Sequence, residues 1–268
     1  LTAAGPAAPA VIGFAHRGAP APLQGENTLP AFRRALAAGA GGLESDVWLT
    51  ADGVPVLRHN AALGQPARRQ RVTGLRRADL PRWLPALADL YRELGCGFEL
   101  SLDLKGQPAG MTSVDSARAV IGAARAAGGA AAARRLWLCG PLSDLRAWRE
   151  IDSEVRLVNS ASAAEIAAHG GAASYARALR AAGVDALNLR AREWTPARAV
   201  IVNDLRAAGV AAFGWDAQST ATLRRLRGYG LAGLYSDHLH RLVRVTTTPH
   251  GPETPGRSRT PADDQYRA

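Results

Sequence analysis

The chain has 268 residues, 47% of them hydrophobic and 21% charged, with a formal net charge of +10. That balance is too apolar for a disordered chain, and no apolar run reaches the eighteen residues of a membrane span. The positive charge alone invites nucleic acid, but aromatics make up only 6%, and the arginines scatter along helix faces instead of forming a basic stripe with interleaved rings; nucleic acid is not an expected partner.

Residues 1–9 read as a flexible N-terminal segment without the basic and apolar regions of a signal peptide. The chain starts at leucine, so the expected cytoplasmic location leaves open a secreted form with a removed leader. Residues 10–15 (Ala-Val-Ile-Gly-Phe-Ala) form a short apolar run that stops at His16-Arg17-Gly18. Such a run is a buried parallel strand, and it delivers His16 and Arg17 at its carboxyl end. Glu26-Asn27-Thr28 precedes a helix over 29–38, with Thr28 as N-cap and Pro30 early in the first turn. Capping and a direct site role are both open for that triplet. In 43–49 the polarity alternates, so Glu44, Asp46 and Trp48 share one strand face and Leu43, Ser45 and Val47 take the other. Two carboxylates on one strand face outline a site for a hard cation.

Asp52-Gly53 has the composition of a two-residue type I′ turn, which would fold 54–58 back as a return strand and set Asp46 opposite His59. Pro55 suits an edge strand outside the main sheet. Residues 61–80 lack an apolar period and carry Arg68, Arg69, Arg71, Arg76 and Arg77, the expectation being a lid-like loop over the site. On the strand over 98–105, Asp103 and Lys105 share a face with Glu99 and Ser101. Lys105 is the only lysine of a chain that otherwise uses arginine, and a compact ammonium two residues from a carboxylate does what arginine cannot.

Further strand candidates start near Leu136, Val155, Ala186, Val210 and Leu231, with alanine-rich helical stretches between most of them. With the three early strands and the return arm, that makes nine. A two-residue turn joins antiparallel strands only, so the return arm drops out and eight remain. The expected fold is therefore α/β, a single (β/α)8 TIM barrel over 10–244 with a β-hairpin excursion after strand 2, and a disordered tail over 245–268 that holds His250. Barrel sites sit at the carboxyl ends of the strands, where His16, Asp46, Lys105 and Trp215 fall. Cys96 and Cys139 lie in apolar contexts and read as inert core residues; His169 reads as a helix-end residue. His238 and His240 follow the last strand and could reach the mouth, and Asn188 is a weak candidate for the pocket.

The residue types of the first sixty positions suit metal-assisted cleavage of a phosphodiester. That reaction needs a cation on the anionic oxygens, a guanidinium or ammonium for the remaining charge, and proton carriers on both sides. In order and spacing, His16-Arg17-Gly18, Glu26-Asn27-Thr28, Ala31-Phe32, Glu44-x-Asp46-Val47, Thr50-x-Asp52-Gly53 and Val56-x-x-His59 resemble the glycerophosphodiester phosphodiesterases. Asp103-x-Lys105, Trp215 and Ser236-Asp237 extend the likeness more thinly. The resemblance implies His16 and His59 as general acid and base, and Glu44, Asp46 and Asp103 as ligands of one divalent cation, Mg2+ or Ca2+. It also implies Arg17 and Lys105 on phosphate oxygens and Trp215 lining the pocket.

The implied reaction on this small-molecule substrate gives glycerol 3-phosphate and an alcohol. The substrate's 2-hydroxyl attacks phosphorus and a cyclic phosphate is then opened by water; direct attack by a metal-bound water is the alternative. The chain departs from the family in His59-Asn60 for His-Asp, Asp103 for glutamate, Asp216 for threonine after the tryptophan, and His238 for arginine. These departures keep two other readings open: a phosphodiesterase for lysophospholipid or sphingolipid head groups, and a catalytically reduced relative that binds phosphate esters. The sequence sets no oligomeric state.

Overall fold

The computed structural model describes residues 11–21, 25–64 and 69–248. The expected N-terminal segment, Arg68 and His250 lie outside them. The eight parallel strands are β1 (Ile12–Ala15), β2 (Gly42–Leu49), β3 (Glu99–Gly106), β4 (Leu136–Gly140), β5 (Arg156–Ser160), β6 (Ala186–Arg190), β7 (Ala211–Trp215) and β8 (Gly233–Ser236). Each pairs with the next, and β1 pairs with both β2 and β8, which closes the sheet into the expected barrel. Because strand side chains alternate, the outward leucines meet the surrounding helices: Leu43, Leu100, Leu102, Leu138, Leu157, Leu187 and Leu234 all belong to one buried cluster between sheet and helices.

The inward positions form a second cluster, Phe14, Trp137, Cys139, Val158, Ala186, Phe213 and Tyr235. Phe14 stacks on Tyr235 with ring centroids 4.6 Å apart, and Trp137 tilts against Phe213 at 5.0 Å. Burying each phenylalanine contributes about 1.5–3 kcal/mol, and the rings fill the barrel so that it holds a cleft above them instead of a pore. Two residues further along the chain from three of these rings come His16, Trp215 and Asp237. The period of two therefore passes from an aromatic floor to a polar cleft within one step.

Three expectations need correction. The hairpin loop has three residues, not two. The Thr50 carbonyl accepts from Gly53 N–H and Val54 C=O accepts from Thr50 N–H, with Gly53 at φ 75°, a turn followed by a bulge residue that only glycine adopts readily. The ladder accordingly pairs Val47 with Leu57 and Trp48 with Val56, so Asp46 faces Arg58, whose N–H bonds to the Asp46 carbonyl, and not His59. Thr50 favours the longer loop, since its hydroxyl donates to Asp52 and accepts from Val54 N–H.

Over its described residues, 61–64 and 69–80, the arginine-rich segment is packed on the hairpin and is not a free loop. Leu63, Val72 and Leu80 are buried with Val56, Leu84 and Ala86 in a small core on the hairpin, and Ala62–Leu63 pairs with Gln70–Arg71. The apolar residues were too sparse to show a period, yet enough to anchor the segment. At the C-terminus a helix runs Leu239–Thr247 with Val245 buried, so the boundary at 245 falls inside a helix. The rest of the expected tail, from 249, lies outside the described residues.

The aromatic floor generates a stability prediction. A Cβ at Gly233 would lie 2.6 Å from the Phe213 ring, which is itself held between Trp137 and Tyr235 and cannot swing away. Gly233→Ala is expected to destabilise the barrel by about 1–3 kcal/mol through overpacking, read as a lower midpoint of urea unfolding at unchanged slope.

Candidate active site

At the carboxyl ends of the strands a cleft of about 510 Å³ opens over the aromatic floor. His16, Arg17, Glu44, Asp46, His59, Asp103, Lys105 and Trp215, all the residues singled out in the sequence, line it together. Its position follows from register. Glu44 pairs with Ser101 and Asp46 with Asp103 across the parallel β2–β3 ladder, so inward residues of adjacent strands stand side by side. Asp46 and Glu44 are 2% and 7% exposed, and neighbouring carboxylates buried this deeply require compensation.

The compensation comes from two cations. Lys105 Nζ lies 3.0 Å from Asp46 Oδ1 and also donates to Asp103 Oδ2. Burial alone would lower the lysine pKa, but Asp103 and Asp46 outweigh it and hold the ammonium charged. Arg17 follows β1 in a left-handed conformation, φ 53°, a cost of order 1–3 kcal/mol for a non-glycine residue. Its backbone N–H donates to Glu44 Oε2 at 2.9 Å, its carbonyl accepts from Asn27 N–H, and its guanidinium donates to Glu26 at 3.0 Å.

The Glu26-Asn27-Thr28 triplet therefore serves both readings. Thr28 caps the helix Leu29–Ala37, Glu26 aims Arg17, and buried Asn27 accepts from the Ser45 hydroxyl at 2.6 Å. Even so, Glu44 is under-compensated. Burial pushes its carboxyl up to about 7, reinforced by Asp46 and Asp103 and opposed by His16 and the Arg17 N–H.

His16 Nδ1 bonds Asp237 Oδ1 at 2.6 Å, and its Nε2 lies 3.7 Å from Glu44 Oε2. Asp237 is held in turn by Gln218, whose Nε2 donates to Asp237 Oδ2 at 2.6 Å and whose Oε1 accepts from the Asp237 N–H. A carboxylate on Nδ1 fixes the ring's orientation and places its Nδ1 proton, leaving Nε2 for the cleft. Sequence reasoning noted Ser236-Asp237 without giving it a role. The two-residue step from inward Tyr235 could have found Asp237; nothing local marks Gln218. His59 reaches the cleft after the return strand ends at Leu57, where the chain bends and the His59 carbonyl accepts from Trp48 Nε1 at 3.3 Å. Ser160, Ser162, Glu165 and Asn188 complete the opposite wall. His238 and His240 line a separate concavity behind Asp237, His169 caps a helix end as expected, and both cysteines are free, with Cys139 at the cleft floor.

Glu44, Asp46 and Asp103 are the residues that could hold a hard cation. Among the described residues no three such groups already stand together as a ligand set, and Lys105 sits on Asp46 and Asp103. The donors nonetheless fit one. Asp46 Oδ2 is buried without a hydrogen-bond partner, and Arg17 Nε, 3.6 Å away, is equally unpartnered. A buried anionic oxygen in that state is completed by a cation.

A family model, the Glycerophosphoryl diester phosphodiesterase family, matches residues 16–241. Among curated proteins, the human glycerophosphodiester phosphodiesterase domain-containing protein 5 is 49% identical over 55 residues, 20% of this chain and 9% of that protein; the chain thus spans under a tenth of that relative's length. Among solved structures, a glycerophosphodiester phosphodiesterase from Thermotoga maritima superposes with a TM-score of 0.71 at 19% identity, covering 88% of this chain and 98% of the other. A phosphodiesterase from Oleispira antarctica, in complex with the product sn-glycerol-3-phosphate, gives 0.67 at 20% identity over 88% and 96%. At these identities the structures speak for the barrel fold alone. No helix among the described residues is long and apolar enough to cross a membrane.

The His16–Asp237 contact predicts a pH dependence. Burial works against the charged ring, but the Asp237 hydrogen bond and the charges of Glu44 and Asp237 raise its pKa above 6.5. The stability this pairing contributes is fully present below pH 6.5 and is lost as pH rises through the folded value. NMR titration of the metal-free protein should find the His16 midpoint above 6.5 and Asp237→Asn should lower it; an unmoved midpoint would contradict the assignment.

Proposed function

The chain belongs to the glycerophosphoryl diester phosphodiesterase family, and we propose that it is a metal-dependent hydrolase that cleaves glycerophosphodiesters to glycerol 3-phosphate and an alcohol. The observation that carries this reading is the convergence of His16, His59, Lys105 and Arg17 on the carboxylates of buried Glu44 and Asp46 and half-buried Asp103 within a single cleft. The cleft has room for a deacylated diester, and most of its lining side chains are charged or hydrogen-bonding, which suits a polar substrate better than one carrying acyl chains.

Each residue has a physical task. Glu44, Asp46 and Asp103 would hold one divalent cation, Mg2+ or Ca2+. When bound, it supplies positive charge to the phosphate oxygens and lowers the pKa of the attacking hydroxyl. Arg17, fixed by Glu26, and Lys105 would bind the remaining phosphate oxygens. The glycerol 2-hydroxyl attacks phosphorus. One histidine takes its proton and the other protonates the leaving oxygen. The pair exchange roles when water opens the cyclic phosphate. Asp237 keeps His16 Nε2 turned toward the reacting atoms throughout. Trp215 lines the pocket.

The test is steady-state turnover of a panel of glycerophosphodiesters with and without divalent cations. Chelation should abolish turnover, with Mg2+ or Ca2+ restoring it, and His16→Ala or His59→Ala should each lower kcat by about 10²–10⁴-fold. Full activity in chelator, or in either alanine variant, would overturn the reading.

A further inference from the structure

Asp237, the partner of His16, has 37% of its side chain exposed, so the bond that orients the ring is made by a carboxylate open to water. Holding such a group in one orientation costs side-chain entropy, and further bonds must offset it. They come from Gln218, whose carboxamide is used completely. Its Oε1 accepts from the Asp237 N–H at 3.0 Å and from the Ser236 hydroxyl at 3.3 Å, which fixes the sense of the amide. Its Nε2 then has two protons to place. One goes to Asp237 Oδ2 at 2.6 Å and the other to Asp216 Oδ1 at 3.3 Å.

One NH2 group thus bridges two carboxylates, and two anions drawn to one amide repel each other unless one is offset. Arg190 offsets Asp216: its Nε and Nη2 both lie 2.7 Å from Asp216 Oδ2, leaving Oδ1 for Gln218. Asp216 follows the end of β7 with φ 62°, a left-handed conformation that a non-glycine residue keeps only where its surroundings over-determine it. The next N–H, that of Ala217, donates to the Tyr235 carbonyl at 3.1 Å and seats the segment on β8. Asp216 does not line the cleft, so substrate contact does not account for it. It stands where the family pattern has threonine, which has one side-chain oxygen where this arrangement uses two.

The carboxyl ends of β6, β7, β8 and β1 are therefore joined through Arg190, Asp216, Gln218, Asp237 and His16. We propose that Asp216, clamped by Arg190, is a positioning residue for His16: it fixes the Gln218 carboxamide, which in turn holds Asp237 on the ring Nδ1. The kinetic consequence rests on the hydrolytic reading above; the positional one does not.

The experiment combines a double-mutant cycle with NMR on the full chain in Mg2+. The variants are Asp216→Asn and Asp216→Gly, each alone and with Asp237→Ala. Both replacements tolerate the left-handed backbone, and neither serves Arg190 and Gln218 together, since asparagine offers one acceptor oxygen and glycine none. Each alone should lower kcat for glycerophosphocholine about 3- to 10-fold, the worth of one net hydrogen bond, with KM within about twofold. With Asp237→Ala already present, the second substitution should change kcat by less than about twofold, because the route runs through Asp237. The His16 Nδ1–H resonance, shifted downfield by its 2.6 Å bond and identified by its loss in Asp237→Ala, should move upfield or broaden in both Asp216 variants. An unmoved resonance overturns the proposal. So does a loss of kcat that persists undiminished beside Asp237→Ala, or a rise in KM alone, which would make Asp216 a support of Trp215 instead. A wild type without turnover removes the hydrolytic function, and the resonance then decides the positioning role by itself.

Discussion

Asp46 and Asp103 face each other across the β2–β3 ladder, and much of the upper barrel is arranged around the charge this pairing buries. Two carboxylates held side by side, with Glu44 one step below, repel one another. The chain answers with its single lysine on β3 and with Arg17, brought in by a left-handed turn at the end of β1. Neither answer is complete. Asp46 Oδ2 keeps no hydrogen-bond partner, and Glu44 stays high at about 7. Removing one member of so buried a charge set would destabilise strongly, whereas a good apolar replacement of the whole would not. On the proposed function, the residual deficit is the place a divalent cation would take.

Strand order spreads the chemistry around the mouth. The carboxylates, Lys105, Arg17 and His16 come from β1, β2 and β3 and the turns at their ends; His59 comes from the hairpin; Asp237 follows β8, which closes back onto β1. β5, β6 and β7 give Ser160, Asn188 and Trp215. Beneath both sides lies the aromatic floor, which sets the depth of the cleft and holds the ends of β1, β7 and β8 in fixed relation. Ser101 joins floor to site by bonding the Tyr235 hydroxyl at 3.0 Å.

The parts of this arrangement that depend on period were legible in the sequence. Alternation in 43–49 and 98–105 put Glu44, Asp46, Asp103 and Lys105 on inward faces, and counting apolar runs gave eight barrel strands plus a return arm. What failed depends on side chains that act across the turn or the fold. Thr50 selected a three-residue loop where Asp52-Gly53 alone suggested two, shifting the ladder by one position. His59 reaches the site through a bend tied to Trp48, and not through pairing with Asp46. Sparse apolar residues, Leu63, Val72 and Leu80, anchor the described part of the arginine-rich 61–80 segment to the hairpin. Asp237 and Gln218 are more than 200 residues from His16, and their contact exists only because β8 closes against β1. Asn60, the departure that left a reduced relative open, is exposed, and its carbonyl is used by Arg58.

The most direct measurement is a crystal structure of the protein soaked in Mn2+, with the ion located by anomalous scattering. The account predicts one ion ligated by Glu44, Asp46 and Asp103, with Asp46 Oδ2 among its ligands and the Lys105 ammonium displaced from Asp46 toward the open cleft. An ion bound elsewhere, or a cleft in which Lys105 keeps both carboxylates at saturating Mn2+, would contradict it.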